Sequence, residues 1–298
     1  MPAPIRFRLP SPRLGLVPAL LLLGACQAQV SVDLAASAPS GASAVTLAVP
    51  YVDLEDSGGS AHNFDASDSS VFDALDYTDG DRRELISEDD VAATYTGVRA
   101  RFDVDNAYVT QSDGTQVPIT LAAQPDYVDV SLDVGDNDSA TLILTLELPF
   151  SLIDRTDSEG DYELQPVLRV AKSDEAADLS GTIAKSVVEA SACRAGRTAG
   201  AGVAVYLYSG SGVTPTDYYR SDTVVNTNQP VAVAFVAYSA TDEAYDYTIR
   251  NLAPGTYTAA WTCQADDEQP DQNDSLVFKS SDDVTISSGT ASTLDFTE

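Results

Sequence analysis

Two runs of carboxylates are spaced closely enough to hold a cation. Asp73, Asp76, Asp79 and Asp81 surround Gly80, and Asp154, Asp157, Glu159 and Asp161 surround Gly160. Calcium takes six to eight oxygens, and a carboxylate-rich turn can supply several of them. Neither run has the D-x-D-x-D-G register that aims alternate oxygens at one ion, so the plainer reading of each is a solvated polar turn between strands. A third group, Asp266-Asp267-Glu268 with Asp271 and Asp274, reads as a mobile acidic loop. Calcium is therefore the one ion this composition suggests, and no bound cofactor is expected.

Nucleophilic catalysis of the Ser-His-Asp or Cys-His kind needs an imidazole as base. The chain has one, His62, in the glycine-rich stretch Ser57-Gly58-Gly59-Ser60-Ala61-His62-Asn63. An exposed loop histidine is expected there. Zinc sites draw on His and Cys ligands that are not left over, and no glycine-lysine phosphate loop is present. A glycosidase-type carboxylate pair cannot be singled out, because 46 acidic residues make chance pairs unavoidable. No catalytic residues are expected. Tyr218, Tyr219, Tyr245, Tyr247 and Trp261 could form a platform for stacking on sugar rings, although strand aromatics more often face a core.

The N-terminal 26 residues carry a different chemistry. Arg6, Arg8 and Arg13 form a basic leader, residues 14–23 are apolar and interrupted by Pro18, and Leu23-Gly24-Ala25 leads to Cys26. Ten residues are too few to span a bilayer, which takes about 20. The sequence Leu-Gly-Ala-Cys resembles the bacterial lipobox, in which the cysteine thiol is diacylglycerated and the leader is cut before it. Cys26 is then the mature, lipidated N-terminus, and two or three acyl chains hold a protein to a membrane where one myristoyl chain does not. Gln27 stands where an aspartate resembles an inner-membrane retention signal, so the outer membrane is the expected location.

Removal of residues 1–25 takes three of the 16 basic residues and none of the 46 acidic ones, leaving a formal charge of −33. Such a field opposes nucleic acid and anionic lipid surfaces and keeps the chain self-repelling. With Cys26 acylated, Cys193 and Cys263 remain as a pair. In an exported, oxidising compartment that pair is expected as a disulfide.

Strand signals run through the rest of the chain. Leu142, Leu144, Leu146 and Leu148 alternate with Thr141, Ile143, Thr145 and Glu147, and Val128, Val130, Leu132 and Val134 repeat the pattern upstream. Asp113-Gly114 marks a hairpin between two such runs. The only helical candidate is a short turn at residues 87–93. Residues 172–181 lose apolar rhythm and are expected as a linker between domains at 30–171 and 182–298, with 26–29 as a lipidated tether. In the second domain residues 203–207, 231–238 and 245–249 read as strands. Pro254-Gly255 forces a turn, and residues 284–286 and 293–296 are expected to close the chain as a hairpin.

The first domain resembles the family described as domain of unknown function 4382. The likeness rests on Ser37-Ala38-Pro39, Val71-Phe72-Asp73-Ala74-Leu75, residues 95–102, 142–151 and 162–169 in that order. Ser37 departs from an aspartate that often precedes Ala-Pro in that family. The resemblance implies an exported β-rich module and no reaction. The second domain, through residues 247–257, resembles transthyretin-like or carboxypeptidase-regulatory-like sandwiches. In related surface repeats a glutamate four residues after the tyrosine forms an isopeptide; Trp261 stands there, so no such crosslink is expected. Some of these relatives bind glycans, which fold alone does not establish.

The combined expectation is an all-β chain of two immunoglobulin- or transthyretin-like β-sandwich domains behind a lipoprotein signal peptide. Its partners would be the membrane, through the lipid, and an envelope polysaccharide or protein, with no nucleic acid. A structural or binding role is expected, with a carbohydrate-binding or calcium-dependent module as the alternative.

Overall fold

The computed structural model describes residues 28–89, 91–194, 198–220 and 228–297. Cys26 and the leader lie outside them. The first unit contains β1 (Gln29–Ser37), β2 (Ala42–Asp56), β3 (Ala61–Asp65), β4 (Phe72–Asp73), β5 (Arg83–Asp89) and β6 (Ala93–Gln111). It continues through β7 (Gln116–Leu121), β8 (Val128–Val134), β9 (Ser139–Glu147), the helical turn α1 (Leu148–Ser151), β10 (Leu152–Asp154), β11 (Tyr162–Leu164) and β12 (Leu168–Lys172). One sheet has the order β12-β9-β1-β5, and the other runs β10-β11-β7-β6-β2-β3, with β4 on β2 and β8 on β6.

The two sheets share one core because their inward residues alternate with outward ones. Val30, Val32 and Leu34 of β1, Leu142, Leu144 and Leu146 of β9, and Val45, Leu47, Val52 and Leu54 of β2 meet in it. The alternation in β9 points to one apolar face, and the residues of the opposite face, Ile143, Thr145 and Glu147, are buried as well. The strand is central, between parallel β1 and antiparallel β12, and Arg169 neutralises Glu147 at 2.6 Å. Asp113-Gly114 does turn the chain between β6 and β7, with Gly114 at φ 86°, where a side chain would be strained. Residues 87–89 belong to β5. The short helical turn lies at Ala74–Tyr77, where the Asp73 carboxylate caps the Leu75 amide.

The second unit contains β13 (Ala177–Ala184), two short helical turns α2 (Lys185–Val188) and α3 (Ser191–Arg194), β14 (Ala204–Ser209), β15 (Pro230–Phe235) and β16 (Ala237–Ser239). The remaining strands are β17 (Ala244–Leu252), β18 (Gly255–Thr262), β19 (Phe278–Ile286) and β20 (Ser292–Thr293). Its sheets run β16-β17-β13-β20 and β15-β14-β18-β19. The expected linker at 172–181 therefore holds the end of β12, a turn, and the first half of β13. The absence of apolar rhythm there is local to residues 173–176.

Two expected elements change sheets. Residues 231–238 divide at Val236 into β15 and β16, one in each sheet. The expected C-terminal hairpin does not form either. After a turn closed by Ser287 and Thr290, the chain crosses to the other sheet, and β20 runs parallel to β13. Burial drives that crossing: Phe296 is 2% exposed in the core, and the Leu294 carbonyl passes over Gly181, where any Cβ would collide with it at 1.7 Å.

Candidate functional site

The second unit's sheet built on β14 is covered on both faces. Val205 and Leu207 point into its own sandwich, whereas Ala204, Tyr206 and Tyr208 point the other way, into a separate aromatic layer. An apolar strand with no polar face must be buried twice, and the run Ala204-Val205-Tyr206-Leu207-Tyr208 is such a strand. The second cover comes partly from the first unit. Phe150, on the α1 turn, is 1% exposed and stacks on Tyr218 with ring centroids 4.4 Å apart, while Val167 packs beside it.

Arginines tie the edges of this joint. Arg169 bonds Glu147 and donates to the carbonyls of Arg250 and Asn251. Arg82 donates to the Asn251 side chain at 2.9 Å, Arg155 bridges Glu163 and Asp271, and Arg220 donates to the Gln165 carbonyl. Asn251 sits at φ 55° and its amide is held by Asp178. In a chain so poor in cations, this concentration at one seam fixes the two units against each other.

Two cavities open along the seam. The larger, about 590 Å³, lies between the segment 148–158 of the first unit and the segment 265–272 of the second. Asp154, Asp157, Asp266 and Glu268 bring carboxylates to it, Gln269 and Gln272 bring amides, and Pro39, Pro149 and Leu152 give it apolar walls. Ligand sites favour such interfaces between domains. Glu268 is a half-buried acid of this cleft: Tyr206 Oη and the Tyr218 amide each donate to its Oε2 at 3.2 Å. Burial pushes its carboxyl up to about 8, so it is protonated and neutral at pH 7. Tyr206 in turn is held well above its ordinary range by its own burial and by Glu268.

Among the described residues, Asp217, Glu268 and Asp274 offer three carboxylate oxygens within 4.8 Å of one another. Asp217 is 5% exposed, and burial raises its carboxyl, with Asp274 adding repulsion. Three such oxygens suit a hard cation, although calcium would need as many again from water or the cleft.

Of the two calcium candidates from the sequence, the run around Gly80 lies outside this cleft and the run around Gly160 brings Asp154 and Asp157 to its lining, and the structure gathers neither into such a trio. Asp73 is engaged with the Val45 and Leu75 amides, and Asp76 lies in the first turn of the 3-10 helix. Asp79 and Asp81 are exposed in the turn that follows. Asp154 accepts from Thr156 and Tyr162, and Asp157 and Glu159 are exposed in a turn whose Gly160 adopts φ 82°. The Asp161 carbonyl accepts the Arg155 amide, closing that turn. The acidic loop at 266–274, expected to be mobile, is where the structure differs most: Glu268 is half-buried and bonded by Tyr206 and the Tyr218 amide, and Asp271 is paired with Arg155. The signal that could have located it was the doubly apolar β14, which requires a cover.

Trp261, Tyr245, Tyr247 and Tyr218 are buried, at 1%, 4%, 2% and 6% exposure, and Tyr219 is half-buried, so these five rings do not form an exposed sugar-stacking platform. His62 pairs with Asp56 at 2.8 Å on the exposed β2–β3 hairpin. Cys193 and Cys263 form a disulfide, with Cα atoms 5.4 Å apart, in the same core as Trp261.

No family model matches the sequence, and neither does any curated protein. Among solved structures, the chain is similar to the TIE protein of Bacillus anthracis, at 12% identity and a TM-score of 0.23 over 91% of this chain and 34% of that one. It is also similar to the fimbrial anchor protein Mfa2 of Porphyromonas gingivalis, at 11% identity and a TM-score of 0.20 over 87% and 99%. A third is a putative adhesin of Bacteroides ovatus, at 8% identity and a TM-score of 0.20 over 87% and 83%. The chain thus spans about a third of the first of these. Likeness at that level carries no argument about fold or activity, and the reading of this protein rests on its own residues.

Proposed function

We propose that this protein is a lipid-anchored component of the bacterial outer membrane, with a structural or binding role and no catalysis. The observation that carries this reading is the leader ending in Leu23-Gly24-Ala25-Cys26. The first described strand, β1, begins at Gln29, three residues after the cysteine. The anchor therefore joins the folded body almost directly, without a long tether. A fixed two-unit body held close to a membrane is suited to scaffolding or to presenting a cleft. Its sole imidazole, His62, pairs with Asp56 on an exposed hairpin and lines neither cavity of the seam, so neither cavity carries a histidine base. The likeness of the first unit to domain of unknown function 4382 belongs to the same proposal.

Cys26→Ser tests the anchor. The wild-type protein partitions into the detergent phase, and the variant is expected in the aqueous phase. Wild-type protein in the aqueous phase would overturn the reading.

A second reading, a carbohydrate-binding or calcium-dependent module, is favoured by the 590 Å³ cleft and the neighbouring acidic trio. Calcium is then expected to raise the melting temperature above the effect of magnesium at equal ionic strength, and Asp217→Asn to remove the difference. Equal effects of the two ions in the wild type would count against calcium.

A further inference from the structure

The smaller cavity along the seam has a chemistry that the joint itself does not use. It measures about 320 Å³ and lies between residues 36–39 with Glu147 and Arg169 of the first unit and residues 233–237 and 246–250 of the second. Three residues lining it, Ser37, Glu147 and Asp246, each carry a side-chain oxygen (Oγ, Oε2 and Oδ1) that is shut off from bulk solvent and has no hydrogen-bond partner. Nine such polar atoms occur among the described residues, and a third of them belong to this one cavity. Buried polar groups are ordinarily paired, and an orphan signals a partner that the protein does not itself supply. The Glu147 side chain is 1% exposed, so bulk water does not solvate it.

The missing partner of the two carboxylate oxygens must donate. The Glu147 and Asp246 oxygens, as carboxylates, only accept, and the Ser37 hydroxyl accepts as well as donates; the guanidiniums in the lining are turned to other partners, Arg169 to Glu147 and two carbonyls and Arg250 to Asp178. Asp79 adds a further carboxylate to the lining. An anion would meet the carboxylates of Asp79, Glu147 and Asp246. A metal cage is also disfavoured, because the one carboxylate trio at ligand spacing among the described residues lies elsewhere. Ala36, Val233, Phe235 and Ile249 give it apolar walls, interrupted by Thr78 and Thr248. A donor-only cationic head on a short aliphatic stem matches both halves of that lining. The ammonium group has three N–H donors and no acceptor, and its alkyl stem buries against apolar surface.

We propose that this cavity is an alkylammonium-binding site, taking either a free diamine or the lysine side chain of a protein partner. The ammonium bonds Asp246 and Ser37, Glu147 supplies a second carboxylate, and the stem lies against Phe235 and Ile249. Reaching oxygens that are shielded in the free protein takes a rotation of the Asp246 and Ser37 side chains. The site is independent of the lipid anchor and stands whether or not Cys26 is acylated.

The test is calorimetric titration of the full mature chain in detergent, at fixed salt and pH 7, with three probes. These are 1,5-diaminopentane, a blocked Gly-Lys-Gly peptide and the neutral 1,5-pentanediol. At least one amine is expected to bind about tenfold or more tightly than the diol. Binding of the peptide alone assigns the site to a partner's lysine, and binding of the diamine alone to a free amine. Asp246→Asn is expected to weaken the amine about tenfold, and Asp113→Asn, which removes an equal charge from a distant hairpin tip, to leave it unchanged. Equal weakening by both substitutions would reduce the effect to the general acidic field. Amine binding no tighter than the diol, or unaltered in Asp246→Asn, would overturn the proposal, as would a crystal structure with diamine in which water alone bridges the three oxygens.

Discussion

Glu268→Gln should stabilise the protein at neutral and alkaline pH. Desolvation pushes the Glu268 carboxyl from an ordinary 4.5 up to about 8, outweighing the bonds from the Tyr218 amide and Tyr206. Below about pH 4.5 the group is protonated in both states and costs nothing. Between 4.5 and 8 the unfolded chain ionises while the folded one stays protonated, so stability falls as pH rises; above 8 the loss is complete. The full span corresponds to about 4–5 kcal/mol at roughly 1.4 kcal/mol per pH unit. Glutamine keeps the shape and an acceptor oxygen for both donors but cannot ionise. Urea unfolding from pH 5 to pH 9 should therefore show a decline for the wild type that is flatter for the variant by a few kcal/mol, with the two nearest to equal at the acid end. A variant as pH-dependent as the wild type, or one less stable at pH 9, would refute the assignment of a half-buried, protonated acid at this joint.

Three other outcomes follow from the same geometry. Phe150→Ala removes the ring that the first unit inserts against Tyr206 and Tyr218 and should cost about 3–5 kcal/mol, splitting one unfolding transition into two in calorimetry. Arg169→Ala leaves Glu147 buried without its partner and frees two carbonyls of β17, for a loss of about 3–5 kcal/mol; an Arg169→Ala, Glu147→Gln double variant should recover part of it. Reduction of the Cys193–Cys263 bridge, which closes a separation of 70 residues, should cost about 4 kcal/mol in the chain-entropy account, and thiol labelling of unreduced native protein should modify neither cysteine.

The all-β class was legible because period-two alternation in β8 and β9 admits only an extended chain. The disulfide was legible from the cysteine number together with the oxidising compartment that the leader sequence led one to expect. Sheet membership was harder to read. Residues 231–238 are uniformly apolar enough for one strand, and nothing local at Val236 announces that β15 and β16 enter different sheets. The C-terminal crossing depends on Gly181 clearing space for the Leu294 carbonyl, a contact 113 residues away in sequence. The joint is a similar case. Glu268 looks like any other acid in an Asp-rich run, and only the need to cover the outward face of Tyr206 and Tyr208 makes it a half-buried one. Local composition identified the acidic turns at 73–81 and 154–161, whereas the carboxylate trio of Asp217, Glu268 and Asp274 is assembled across more than 50 residues by packing.

The most direct test of the account is the intact mass of the mature protein isolated from its native envelope. The account predicts loss of residues 1–25 and a chain beginning at Cys26 that carries the added mass of a diacylglyceryl group and an N-acyl chain. A mass equal to the unmodified polypeptide, with or without the leader, would contradict it.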